Sequence, residues 1–239
     1  GLGQADAVAG GGRLDGLEIL GLQLLGDGPA KVRVVIDDEE GLALRHGLLN
    51  MHRVAVCGQR YLGTMGVNFT ATATDGQGGG FLDLGARRVR CALGKAGVKP
   101  AAEKREGDLA SPAGVWPIRR VLYRPDKGAA PATALAVQPL APDDGWCDAP
   151  EDGAYNRPVK LPHAGSFERM WRDDGIYDLV VVLGHNDDPP VAALGSCIFL
   201  HLARPGYLPT EGCVAVTRAD LEELLAAAQP GDAVEIRET

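Results

Sequence analysis

Residues 195–216 read Gly195-Ser196-Cys197-Ile198-Phe199-Leu200-His201-Leu202, then Ala203-Arg204-Pro205-Gly206-Tyr207-Leu208-Pro209, then Thr210-Glu211-Gly212-Cys213-Val214-Ala215-Val216. Two short apolar runs flank a segment punctuated by proline and glycine, and such runs predict buried strands. The turn-rich segment folds the chain back, so the histidine ending the first run is expected to meet the cysteine opening the second. A cysteine is a useful nucleophile when a neighbouring base takes its proton and backbone donors stabilise the oxyanion. Gly212 gives the backbone room to approach a carbonyl, and the Cys213 amide is the candidate donor to its oxygen. Taken singly, a cysteine in an apolar strand is usually a small core residue, and a histidine at a strand end is usually structural. Cys57, Cys91 and Cys197 read that way. Cys147, between Trp146 and Asp148, is ambiguous.

Working outward, Thr217 with Asp220 resembles a capping box opening a helix over 218–228, whose apolar stripe is Leu221, Leu224 and Leu225. Pro230-Gly231 ends it, and 233–236 is a closing strand. Upstream, the continuous apolar run 177–183 predicts a buried strand. Further strands are expected at 67–74, 81–84, 88–93, 115–123 and 133–139, with a polar loop at 94–107. Residues 141–159 form a long Pro/Gly-punctuated loop carrying Trp146 and Tyr155, a length that often signals function. A short helix is expected at 166–172. Gly184-His185-Asn186-Asp187-Asp188-Pro189 leaves the strand 177–183. It has the residues of a turn, of a wall holding substrate or supporting His201, or of a metal site. No further ligands stand at a recognised spacing, so turn and substrate wall rank first and no metal is expected.

Residues 1–64 differ in texture. Gly10–Gly12 and recurring Gly-Leu pairs over 16–25 interrupt helical periodicity; 31–36 suits a strand and 37–41 a turn. No chemistry is visible there. The expectation is a loosely ordered extension followed by one catalytic domain at 65–239, for which Met65 is a plausible natural start.

The 239 residues suit one domain with an appendage, and 45% are apolar, enough for a sizeable core. The formal charge of -8, without a basic stripe, argues against nucleic acid and against an anionic membrane surface. Five cysteines leave at least one thiol unpaired, and none stands in a C-x-x-C or zinc-type spacing. No apolar run reaches transmembrane length, and no signal peptide is visible.

Together, Gly195-Ser196, Ile198-Phe199-Leu200-His201, Thr210-Glu211-Gly212-Cys213-Val214, the helix and Asp232-Ala233-Val234-Glu235-Ile236 resemble the catalytic end of the YkuD-type L,D-transpeptidase domain. Gly107-Asp108 and Ser111-Pro112-Ala113-Gly114-Val115-Trp116-Pro117-Ile118 resemble that family's Thr-Pro-x-Gly-x-Phe region. The resemblance covers residues 80–237. It implies a mainly β sandwich of two mixed sheets with few helices, no cofactor, Cys213 as nucleophile and His201 as base. Gly212 would shape the oxyanion site, and His185, Asn186, Ser196 and Glu211 would line the substrate. The implied partners are peptidoglycan stem peptides, with carbapenem-type β-lactams as inhibitors, and the implied location is the cell envelope or periplasm. The chain departs from the family where Leu202 replaces the usual glycine after the histidine. Glu211 replaces a histidine before Gly-Cys, and Ala215 stands where an arginine often follows the cysteine. These positions mark a divergent branch with altered substrate geometry. L,D-carboxypeptidase activity, a non-catalytic cell-wall binding module, and a metal hydrolase using His185, Asp187 and His201 are the competing readings.

Overall fold

A computed structural model describes the backbone of residues 13–14, 17–25, 31–37, 49–50 and of 66–238 except Asp75, with side chains from Phe69 onward. By contacts the chain divides into Gly1–Arg60 and Tyr61–Thr239. In the first unit, β1 (Arg13–Leu14), β2 (Leu17–Leu25), β3 (Lys31–Asp37) and β4 (Leu49–Asn50) form an antiparallel sheet in sequential order. The strand expected at 31–36 is therefore present. The turn beyond Asp37, Cys57 and Met65 lie outside the described residues.

The second unit is mostly strand. It contains β5 (Gly66–Ala73), β6 (Gly79–Asp83), β7 (Arg88–Ala92), β8 (Val98–Pro100), β9 (Ser111–Tyr123) and β10 (Val137–Pro139). After these come β11 (Asp144–Cys147), β12 (Pro158–Lys160), β13 (Phe167–Arg169), β14 (Leu179–Leu183), β15 (Phe199–Leu202), β16 (Val214–Val216), helix α1 (Arg218–Ala227) and β17 (Asp232–Arg237). The mixed sheet runs β10-β9-β14-β15-β16-β7-β6-β5-β17, and β17 pairs back onto the other half of β9. The 13-residue β9 thus pairs with β14 along one half and with β17 along the other. The β-rich fold with few helices agrees with expectation.

Inside this sheet lies one apolar core, built from Leu82, Val121, Val181, Leu200, Val214 and the α1 residues Leu221, Leu224 and Leu225, among others. Alternation along β15 sends Leu200 and Leu202 into it. Phe199 goes the other way, into a second cluster with Val180, Val182, Trp146, Met170, Tyr177 and Cys213. That cluster is closed by a small antiparallel sheet, β12-β11-β13.

Several local expectations are corrected. Residues 166–172 form no helix: their centre is β13, which pairs Glu168 with Trp146 on β11. The loop 94–107 contains β8 and a single 3-10 turn, Ala101–Glu103. The loop 141–159 contains β11 and the start of β12. The strand expected from Cys197 begins at Phe199, because Cys197 sits at φ +55°, outside strand geometry.

Candidate active site

The loop after β15 returns the chain alongside it. β15 and β16 pair in parallel, with Leu200 opposite Val214 and His201 opposite Ala215. Cys213 therefore sits one pleat before the row of His201, and strand geometry puts their Cα atoms roughly 8 Å apart. His201 shares the face of Phe199 and lies edge-on to Tyr177, with ring centroids 5.3 Å apart. Tyr177 and Cys213 belong to the same apolar cluster.

The cysteine's backbone is held from several sides. Gly212 adopts φ +140°, and a Cβ there would come within 2.9 Å of the Ala110 carbonyl oxygen, so glycine is required. Thr210 Oγ1 accepts from the Gly212 N–H at 3.2 Å and donates to the Cys213 carbonyl at 2.6 Å. Ser111 Oγ donates to the same carbonyl at 3.4 Å and accepts from the Gly94 N–H at 2.9 Å. Behind it, buried Lys104 pairs with Asp108, whose carboxylate accepts from the Ala110 N–H at 3.0 Å. The Gly107-Asp108…Ser111 segment thus buttresses the cysteine turn. Thr210 and Ser111 occupy this role without any signal in the sequence beyond their place in the motifs.

Cys213 is 7% exposed. Its thiol donates to the Cys197 carbonyl at 3.1 Å and accepts from the Phe199 N–H at 3.4 Å. Burial pushes the thiol up to about 12, the Phe199 N–H pulls the other way, and Glu168 and Glu211 add to the rise. His201 is 3% exposed. Its Nδ1 lies 2.9 Å from the Leu202 carbonyl, which can only accept, so Nδ1 carries the proton and Nε2 the lone pair. Burial drives this imidazole down to about 4. Both groups are neutral at pH 7.

The other expected residues divide into framework and rim. His185 is buried with Nε2 3.1 Å from the Leu194 carbonyl, and Trp116 stacks edge-on at 4.6 Å. Asn186, at φ +48°, donates to the Val191 and Gly195 carbonyls at 3.0 and 2.9 Å and accepts from the Val191 N–H at 2.8 Å. That is the geometry of a turn clamp. Asp187 forms a two-pronged pair with Arg119. His185, Asp187 and His201 do not converge as metal ligands: each is engaged elsewhere. Ser196 Oγ is buried with no hydrogen-bond partner. Glu211 is exposed. A residue the sequence did not flag, Glu168 on β13, is ion-paired to Arg172 and feels the charge of Glu211. Burial raises the Glu168 carboxyl, Arg172 opposes this, and Glu211 adds to it.

Two cavities flank the site. One, of about 350 Å³, is lined by Arg119, Arg120, Trp146, Asn156 and Phe199 among others; the second, of about 420 Å³, by Ile176, Leu202, Arg204 and Tyr207 among others. Neither is lined by Cys213 or His201 themselves.

A family model described as the L,D-transpeptidase catalytic domain, YkuD, matches residues 71–236. The chain belongs to the YkuD family. Members of this family are cysteine-dependent L,D-transpeptidases that act on peptidoglycan and are inhibited by β-lactams. Neither the curated proteins nor the solved structures returned a match. Among the described residues no helix is long and apolar enough to cross a membrane.

Proposed function

We propose that the protein is a peptidoglycan L,D-transpeptidase in which Cys213 is the nucleophile and His201 its base. The supporting observation is the parallel register of β15 and β16, which brings Cys213, the residue entering β16, alongside β15 and its His201, with Tyr177 packed near both. Nε2 of His201 takes the thiol proton as sulfur bonds to the carbonyl carbon of the L,D peptide bond in a donor stem. The Cys213 N–H is the donor to the resulting oxyanion; the Gly212 N–H is already engaged by Thr210. The C–N bond breaks, His201 returns the proton to the departing D-amino acid, and a thioester remains. An acceptor amine attacks the thioester and loses its proton to His201, and the thiol is reprotonated as the new amide forms.

In the resting geometry the thiol points to the Cys197 carbonyl, so substrate binding must redirect it toward His201. The apolar cover over Cys213 must also shift to admit a stem peptide. Glu211 and Glu168 are two carboxylates near the thiol and near each other. They suit the approach of an acceptor ammonium, and Glu211 puts negative charge where the family usually has a histidine. Placement in the cell envelope follows from this substrate. Incubation with a tetrapeptide stem and an amine acceptor is expected to release the terminal D-amino acid and yield the cross-linked amide. Release with hydrolysed tripeptide alone would make the protein an L,D-carboxypeptidase. No release by a protein that stays folded would favour a binding module.

A further inference from the structure

Cys147, Asp152 and His163 stand apart from the chemistry above. Cys147 ends β11, Asp152 lies in the turn after it, and His163 lies between β12 and β13. One donor atom from each lies within 4.8 Å of the other two. Cys147 is fully buried. The His163 and Asp152 side chains are 18% and 26% exposed, so the cluster borders solvent on one side.

His163 Nε2 is 3.1 Å from Asp152 Oδ2, yet it is buried without a hydrogen-bond partner. The two atoms are close but not aligned on one another. A nitrogen and an oxygen bound to the same tetrahedral zinc ion sit about 3.4 Å apart, given bonds near 2.1 Å. Asp152 Oδ1 accepts from the Ala154 N–H at 2.7 Å, which orients the carboxylate and leaves Oδ2 for another partner. Gly165 keeps the space beside both atoms open: a Cβ there would come 2.9 Å from Asp152 Oδ2 and 3.4 Å from His163 Nε2. A further buried oxygen, Asp148 Oδ1, also lacks a partner. The negative charges of Asp148, Glu151 and Asp152 all act on the Cys147 thiol, an environment suited to a cation.

We propose that Cys147 Sγ, Asp152 Oδ2 and His163 Nε2 bind a divalent transition metal of the zinc type, with water as the fourth ligand. Binding sends the Cys147 proton to solvent, and thiolate plus carboxylate balance the ion's two charges. The metal pins β11 to the connection that enters β13. Next to Cys147, Trp146 packs on Phe199 with centroids 5.1 Å apart, so the clamp steadies the wall over Cys213. The ligands stand at intervals of five and eleven residues, which match no recognised motif; the small sheet brings them together.

The test uses the full chain carrying Cys213→Ala, which removes the nucleophilic thiol, stripped with chelator and titrated with Co²⁺. The expected result is one ion per chain, with a thiolate-to-cobalt charge-transfer band in the near ultraviolet and the intense visible bands of tetrahedral cobalt. Zn²⁺ should displace it. Adding Cys147→Ser should abolish the charge-transfer band. Asp152→Asn, which keeps the shape and the Ala154 contact, should weaken Co²⁺ binding about tenfold or more. It is informative even if Cys147→Ser does not fold. Saturation without the band, a band that persists in Cys147→Ser, or unchanged affinity in Asp152→Asn would overturn the proposal.

Discussion

Cys213 and His201 are both held uncharged by burial, and this has consequences for acid stability. The His201 imidazole takes a proton near 6.5 in the unfolded chain but near about 4 in the folded one. Between those values the unfolded state holds the extra proton. The stability contributed by neutral His201 is complete above the unfolded value and lost as pH falls toward the folded one. The loss levels off at about 3 kcal/mol. Urea unfolding at pH 7 and pH 5 is expected to show a larger drop for wild type than for His201→Gln; equal drops would remove His201 as the source. At Gly212, φ +140° and the nearby Ala110 oxygen both oppose a side chain. Gly212→Ala is expected to cost about 1–3 kcal/mol in urea unfolding and to abolish acylation. The adjacency of the His201 strand and the Gly212-Cys213 turn was legible because the order of the segments along the chain carries the pairing. Glu168 was not, because its nearness to Glu211 depends on how β13 docks.

At the scale of elements, periodicity served best where the segment's own burial decides its structure. The run 177–183, the closing strand and α1 are examples, and the α1 cap formed as expected, with the Asp220 N–H donating to Thr217 Oγ1 at 3.2 Å. Thr217→Ala is expected to cost about 1 kcal/mol in urea unfolding while leaving acylation unchanged. A loss of acylation would mean that the cap also positions the site. Residues 166–172 were misread because Phe167, Met170 and Trp171 recur at helical spacing. Pairing of Phe167, Glu168 and Arg169 with β11 overrides that local pattern. The same non-local pairing turns the long loop 141–159 into the covering sheet.

For the whole molecule, contacts separate Gly1–Arg60 from Tyr61–Thr239, and every strand of the mixed sheet lies in the second unit. Removal of residues 1–64 is therefore expected to leave a domain that unfolds cooperatively and is acylated at the wild-type rate. An insoluble or inactive product would show that the first unit completes the fold. The central claim is that Cys213 is the nucleophile of a YkuD enzyme, and the most direct test is intact mass after incubation with a carbapenem. Wild type is expected to gain the mass of one carbapenem, with the adduct mapped to Cys213, while a folded Cys213→Ala variant gains none. An adduct on Cys213→Ala, or an unmodified wild type, would contradict the account.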